Sequence, residues 1–262
     1  MKKITIPVLF IFLSLLIFSQ NFTLASFNIQ HLGTARKNIS YVSQILNVFD
    51  FTAIQEVQNK KVIQQLEREN PSLKFLVSDT SVGNGYKEFY AFSYNPDKIH
   101  LTSVGFYPGS GFMRPPFAVI ATINSTQILV INTHIQFGKS QLVREQEISK
   151  LPQVVSYFAN RYKNINTIAV MGDFNIDSND TINYLLSGSS PKLTPVLHND
   201  ILTTIGKTGY VNQYDKIYVT PSLLPMIVNS GSITIKNISL QTYKSEISDH
   251  RPIFMILNVG KT

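Results

Sequence analysis

Short apolar runs alternate with amphipathic stretches along most of the 262 residues. Residues 22–28, 51–55, 73–78, 89–94, 117–123, 127–133 and 167–171 have strand length and are rich in Phe, Ile, Val and Thr, so they predict β-strands. Between them, Ile39, Val42, Leu46 and Phe49 recur at helical spacing within residues 36–49. A second helix is expected around 60–69, stopped by Pro71, and a long one over 140–161. The last third is richer in Ser, Thr, Asn and Gly, with shorter strands predicted near 216–219, 232–235 and 253–258. No repeat or low-complexity linker interrupts the series, so residues 21–262 read as one α/β domain built on sheets with helical cover.

The start of the chain follows a different pattern. Met1, Lys2 and Lys3 precede residues 8–18, where Ser14 alone is not apolar. Eleven such residues fall short of the roughly 20 needed to cross a bilayer. A basic start followed by a short apolar core predicts a secretory signal over residues 1–20. Ser19, or Thr23 with Ala25, offers small residues for cleavage, although cutting at Ala25 would remove half of the first strand. A secreted or periplasmic protein is the expectation, with an uncleaved anchor as the alternative.

The chain has no cysteine, which excludes a disulfide framework, a thiolate zinc site, an iron–sulfur cluster and a Cys nucleophile. Its chemistry must rest on oxygen and imidazole groups. Lys and Arg number 23 against 16 Asp and Glu, a net charge of +7 that suits an anionic partner without specifying one.

More informative is where the polar residues fall. Several apolar runs end in an amide, carboxylate or imidazole: Ala25-Ser-Phe-Asn28, Ala53-Ile-Gln-Glu56, Ile128-Leu-Val-Ile-Asn-Thr-His134, and Ile168-Ala-Val-Met-Gly-Asp173 with Asn175 just beyond. Tyr214-Asp215-Lys216 and Ser248-Asp249-His250 each precede a further strand. Active sites of layered α/β folds gather at strand ends, where loops can be polar above a rigid sheet. Singly, each residue has a plain structural explanation. Glu56 suits a helix cap or solvated loop, Asp173 a turn, Asp215 a partner for Lys216, His134 a satisfied core position and His250 a turn. Independent structural roles do not predict these residue types in this order at successive strand ends.

In that order, Ser26-Phe-Asn-Ile-Gln, Ile54-Gln-Glu-Val, Gly83-Asn-Gly-Tyr-Lys-Glu88, Arg114-Pro-Pro, Asn132-Thr-His134, Gly172-Asp-Phe-Asn175, Tyr214-Asp-Lys-Ile and Ser248-Asp-His250 resemble the endonuclease/exonuclease/phosphatase superfamily. The stretch around Tyr86-Lys87-Glu88 resembles its deoxyribonuclease I-like branch more narrowly. The resemblance implies an α/β fold, a four-layer α/β/β/α sandwich with two central mixed β-sheets. It implies that Glu56, Asn28 and Asp249 hold a divalent ion, Mg²⁺ or Mn²⁺, with Ca²⁺ as a possible auxiliary. It further implies that Asp173 positions the attacking water and Asn175 donates to a phosphate oxygen. His250 would pair with Asp215 and His134 with Glu88, Arg114 would contact phosphate, and Tyr86 would reach toward the sugar–base edge in the DNA minor groove. Gln58 stands where the branch often carries an Arg for the minor groove, and the branch's disulfide is missing.

The chemistry agrees with that assignment. Hydrolysing a phosphodiester requires charge neutralisation on oxygen, which a hard cation, an Arg and an amide supply. It also requires two proton transfers, which two imidazoles steadied by carboxylates can perform. Arg36, Lys37, Lys87 and Lys139 are candidates for further phosphate contacts. The resulting expectation is a secreted, metal-dependent, monomeric endonuclease leaving 5′-phosphate ends on DNA. Its rivals are a sphingomyelinase or inositol-phosphate phosphatase of the same superfamily, an abasic-site repair enzyme, and a non-catalytic, toxin-like DNA-binding subunit. No apolar hairpin suited to a lipid surface is evident, a secretory signal argues against genome repair, and no matched position is lost as turnover loss would require.

Overall fold

A computed structural model describes residues 21–260, so the expected signal over residues 1–20 lies outside the described residues. In chain order the elements are β1 (Asn21–Leu32), α1 (Ile39–Leu46), β2 (Phe51–Val57), α2 (Lys61–Glu69), β3 (Lys74–Val77), β4 (Phe89–Tyr94), β5 (His100–Phe106), β6 (Phe117–Ile123) and β7 (Thr126–His134). They continue as α3 (Gln141–Ile148), α4 (Leu151–Arg161), β8 (Ile168–Asp173), α5 (Asn179–Leu186), β9 (Thr194–Pro195), β10 (Asp215–Val219), β11 (Ile227–Ser232), α6 (Leu240–Glu246) and β12 (Ile253–Asn258).

The strands form two six-stranded sheets, ordered β11-β12-β1-β2-β4-β3 and β5-β6-β7-β8-β10-β9. Each is mixed, with one parallel pair near its centre, β1 with β2 and β7 with β8, among antiparallel neighbours.

The layering follows from the two-residue period of the strands. On β1, Phe22 and Leu24 enter a core shared with Phe51, Phe92, Val119, Val130, Met171 and Ile217, which joins the two sheets. Ala25, Phe27 and Ile29 point the other way, against Val42 and Leu46 of α1, Leu66 of α2 and Tyr243 of α6. Leu129, Ile131 and Val170 of the second sheet meet Ile148, Leu151, Val155, Phe158 and Ile182 of α3, α4 and α5. Fully burying one such aliphatic or aromatic side chain contributes roughly 1.5–3 kcal/mol, so three contiguous cores stabilise the four layers together. The expected α/β/β/α sandwich is the fold observed.

Three local expectations are corrected. The long helix over 140–161 is two helices, because Pro152 has no N–H to continue α3 and its ring would meet the carbonyl of Ile148. The strand expected at 232–235 lies earlier, as β11, where Ile227 pairs with Leu257 and Ser232 with Ile253, while Ile233 and Ile235 turn to the helical layer. The first helix begins only at Ile39, after Asn38 caps it by accepting from the N–H of Tyr41. Among the described residues no helix is long and apolar enough to cross a membrane.

The face between the sheets changes character along its length. On β1 it runs Phe22, Leu24, Ser26, Asn28; on β2 Phe51, Ala53, Gln55; on β7 Ile128, Val130, Asn132, His134; on β8 Ala169, Met171, Asp173. β10 runs in the opposite sense, from Asp215 to Ile217 and Val219. Every one of these strands therefore places its polar residue at the same end of the sandwich. Gln55 of the first sheet crosses to Asn132 of the second (Nε2 to Oδ1, 2.7 Å), and Asn132 donates back to the carbonyl of Ile54 at 3.1 Å. These bonds join the sheets just beneath that polar end.

Candidate active site

The strand register builds the site on the second sheet. His134 of β7 lies beside Asp173 of β8, and Asp173 lies beside Asp215 of β10. Such close rows require Gly172, whose φ is +147° and where a Cβ would lie 1.8 Å from the carbonyl oxygen of Thr133. From the first sheet come Asn28, paired in register with Gln55, and Glu56, which follows it where the β2–β4 pairing slips.

The two histidines hold equivalent positions. His134 Nδ1 is 2.8 Å from Glu88 Oε1, and His250 Nδ1 is 2.8 Å from Asp215 Oδ2. Both Nε2 atoms then face the same oxygen, Asp173 Oδ2, each at 3.7 Å. Two imidazole–carboxylate pairs thus converge on one buried acid, whose other oxygen accepts from the Asn175 N–H at 2.8 Å. Burial opposes charge on His250, yet Asp215 and Asp173 outweigh it and lift its pKa to about 10. Burial likewise opposes charge on His134, and Glu88 outweighs it, so this pKa also rises. Desolvation pushes the Asp173 carboxyl upward against the pull of His250.

Asn28 links the two halves, donating from Nδ2 to Glu56 Oε1 and to Asp173 Oδ2, each at 3.0 Å. Its Oδ1 is buried and has no hydrogen-bond partner among the described residues. Burial raises the Glu56 pKa, but His134, Asn28 and the His31 backbone overcome this and hold the carboxyl below its ordinary value. An unpaired amide oxygen beside an ionised carboxylate is a donor set that suits a hard divalent cation. Among the described residues no three His, Asp or Glu side chains could hold a metal ion by themselves. A small ion that retains waters and takes oxygens from its substrate needs no such trio. Asp249 lines the same cleft at its rim, with Oδ1 3.9 Å from His250 Nε2.

These groups form the floor of an open cleft of about 650 Å³ between the sheet ends, with Tyr86 on its wall. Glu56, Asn175 and His31 all have left-handed backbone, with φ of 63°, 52° and 56°. Asn tolerates this conformation readily; for Glu and His it costs on the order of 1 kcal/mol or more, a strain concentrated where the functional groups lie.

All the site residues expected from the sequence are brought to this one region, but two are turned differently than foreseen. Arg114 is buried and donates through Nε and Nη2 to the carbonyls of His134 and Ile135, at 3.1 and 3.2 Å, with Nη1 3.8 Å from Glu88. It therefore braces the His134 segment and reaches the cleft by one edge. Asn175 Nδ2 donates to the Ile135 carbonyl at 2.8 Å, leaving one of its two hydrogens for the cleft. Arg36, Lys37, Lys87 and Lys139 do not line the cleft, whereas Lys244 does.

Two further residues were not foreseen. His31 donates its backbone N–H to Glu56 Oε2 at 3.0 Å, and its Nδ1 lies 3.2 Å from the same oxygen. Glu147 of α3 is buried, its pKa raised by desolvation, and accepts from the backbone N–H groups of Met113 and Gln136. It ties the Arg114 loop to the segment after His134. Nothing separates Glu147 by sequence from the neighbouring charges of a solvated helix.

No protein-family model matches the chain. It is 27% identical over 259 residues to a deoxyribonuclease of Thioalkalivibrio sp. (strain K90mix), covering 89% of this chain and 70% of that one. It is 26% identical over 268 residues to deoxyribonuclease-1 of Gallus gallus, covering 89% and 91%. Among solved structures, an endonuclease/exonuclease/phosphatase family protein from Bacteroides thetaiotaomicron superposes with a TM-score of 0.63 at 17% identity, over 92% of this chain and 98% of that one. D. rerio TDP2 complexed with single strand DNA product superposes with a TM-score of 0.67 at 16% identity, over 92% and 100%. In fold the chain matches these endonuclease/exonuclease/phosphatase structures, and in sequence it is similar to deoxyribonucleases, which together support a hydrolytic, nuclease-type enzyme.

Proposed function

We propose that the protein is an exported, divalent-metal-dependent endonuclease that hydrolyses DNA phosphodiester bonds and leaves 5′-phosphate ends. The observation carrying this reading is the convergence of His134 and His250 on Asp173, each braced behind by its own carboxylate. Relatives named deoxyribonuclease support DNA as the substrate. The basic, apolar start of the chain supports export.

In this mechanism the scissile phosphate lies above Asp173, between the two imidazoles. Asp173 accepts a hydrogen bond from the attacking water and orients it. As the water oxygen bonds to phosphorus, one imidazole Nε2 takes the proton that water loses. The bond to the 3′-oxygen breaks, and the other imidazole supplies the proton this oxygen needs. Glu88 and Asp215 hold each Nδ1–H, so each Nε2 is the group presented to the cleft, and they stabilise the imidazolium forms. The free hydrogen of Asn175 Nδ2 and the Arg114 edge donate to the non-bridging oxygens, where charge accumulates. Glu56 and Asn28 Oδ1, with Asp249 at the rim, would hold Mg²⁺ or Mn²⁺, which when bound supplies Lewis-acid neutralisation of that charge.

The test is purified mature protein incubated in parallel with supercoiled plasmid, RNA and sphingomyelin, with Mg²⁺ or with chelator. Nicking of plasmid that requires Mg²⁺ is expected. Turnover of the lipid without nicking would move the protein to a different phosphodiesterase class.

A further inference from the structure

We propose that Lys244 holds a second phosphate of the DNA strand, one that flanks the scissile bond on the His250 side of the cleft, and so fixes the register in which the strand is cut. This deepens the reading of the site as a DNA phosphodiesterase and rests on it.

The cleft offers a polyanion a wall rich in carboxylates. Glu56, Glu88, Asp173 and Asp249 line it, and apart from the histidines only Arg114 and Lys244 oppose them with positive charge. The exposed rings of Tyr86 and Phe137 add surface without charge. Arg114 is largely engaged within the protein, with the carbonyls of His134 and Ile135 and with Glu88. Lys244 is not. Its Nζ donates to the carbonyl of Ile205 at 2.6 Å, and among the described residues no carboxylate forms an ion pair with it. An ammonium carries three hydrogens, so two remain for a ligand in the cleft.

This charge is also held in place. Lys244 lies in the last turn of α6, whose Tyr243 is buried and accepts at its carbonyl from the Ile247 and Ser248 N–H groups, at 2.8 and 3.1 Å. The Ser248 hydroxyl donates to the Asn28 carbonyl at 2.7 Å and accepts from the His250 N–H at 3.0 Å. Ile205, which holds the ammonium, donates its own N–H to the Asp249 carbonyl at 2.7 Å. Thr204 beside it bridges to His250, and its carbonyl accepts from the Val211 N–H at 2.9 Å. Through α6 and through Ile205, the ammonium is therefore tied to the backbone that carries Asp249 and His250.

A strand whose scissile phosphate lies between the two imidazoles leaves the cleft past the His250 wall, and Lys244 is the cation it meets there. A lysine is a strongly hydrated point charge on a flexible stem, which suits a phosphate and reads no base. Interaction with a phosphate that does not react helps to align the one that does. Lys244 lies in none of the motifs that carry the family resemblance, so this contact is a property of the present chain.

The experiment uses a labelled duplex and a series of copies in which a single linkage of the cut strand is made an uncharged methylphosphonate, placed at each position flanking one monitored bond. Cleavage of that bond in Mg²⁺ is compared for the wild type, Lys244→Gln and Lys244→Arg. On the unmodified duplex Lys244→Gln should lower kcat/KM by about tenfold, the worth of one charge-assisted hydrogen bond, and Lys244→Arg should keep most of the activity. At one linkage, on one side of the bond, neutralisation should cost the wild type a similar factor and cost Lys244→Gln nothing further. Binding is measured by fluorescence anisotropy in a His134→Ala background over a range of salt. There Lys244→Gln should make the slope of log affinity against log salt shallower by about 0.9, which a merely structural loss would not do. Absence of any linkage with that coupling, or an unchanged salt slope, overturns the inference while leaving a nuclease. Failure of the wild type to cut the unmodified duplex would instead defeat the proposed function itself.

Discussion

Replacing Asp215 by Asn removes a buried charge while leaving an oxygen able to accept from His250 Nδ1. In the wild type this carboxylate, with Asp173, keeps the His250 pKa near 10, against an ordinary 6.5. A histidine whose pKa is raised by folding contributes stability that is fully present below pH 6.5 and lost as pH rises toward 10. Lys216 acts in the opposite direction, because burial lowers its pKa to about 8 and stability then recovers as it loses its proton. The window from pH 6.5 to 8 separates the two. Across it the unfolded His250 deprotonates and the folded one does not, which at about 1.4 kcal/mol per pH unit amounts to about 2 kcal/mol. His250 is only 8% exposed, so solvent screening takes little from this figure. Asp173 still faces His250 in the variant, so the expected outcome is that metal-free wild-type protein, unfolded by denaturant in chelator, loses more stability than Asp215→Asn between these pH values, by at most about 2 kcal/mol. Turnover of the variant in Mg²⁺ should fall by about 10²–10⁴-fold with the fold retained. Parallel pH profiles of unfolding together with wild-type turnover would refute the pairing of Asp215 with His250 as the source of the proton's stability.

Gly172→Ala should lower stability by about 3 kcal/mol or more, because the new Cβ must displace the Thr133 carbonyl; a thermal midpoint within a degree or two of wild type would contradict the close approach of β7 and β8. Chelator should abolish plasmid nicking and Mg²⁺ restore it, and Glu56→Gln should require about tenfold more Mg²⁺ or greater for half-maximal nicking, read from a metal titration. Glu147→Ala leaves the Met113 and Gln136 N–H groups without their acceptor, so hydrogen exchange at both amides should accelerate and kcat/KM fall by about tenfold, with unchanged exchange counting against the clamp.

The parts of the fold legible from sequence are those where one residue type does one job. Phe22, Leu24 and their counterparts on β2, β7 and β8 alternate cleanly enough to place strands, and the polar residue ending each run marks the end where chemistry gathers. β5 escaped notice because it is an edge strand with mostly exposed or half-buried residues and a glycine, Gly105, so no apolar run marks it. α5 and α6 are short and largely polar, and their starts rest on the caps Ser178 and Ser239 more than on periodicity. In the site, residue identity was legible and orientation was not. Nothing local says that Arg114 turns its guanidinium to the carbonyls of His134 and Ile135, since those partners lie 20 and 21 residues away in the chain. The same applies to His31, whose contact with Glu56 depends on the pairing of β1 with β2, 25 residues apart in the chain.

The grading of the inter-sheet face from apolar to polar separates two engineering problems. The residues that do chemistry sit on strand ends whose geometry is set by the packing below, whereas Tyr86 and Phe137 ride on surface connections outside the three hydrophobic cores. Grafting new segments at 83–87 or 137–140 would therefore alter what the cleft accepts while leaving Glu88, His134 and the rest of the catalytic floor in place. Transplanting the floor would mean carrying both sheets along with it.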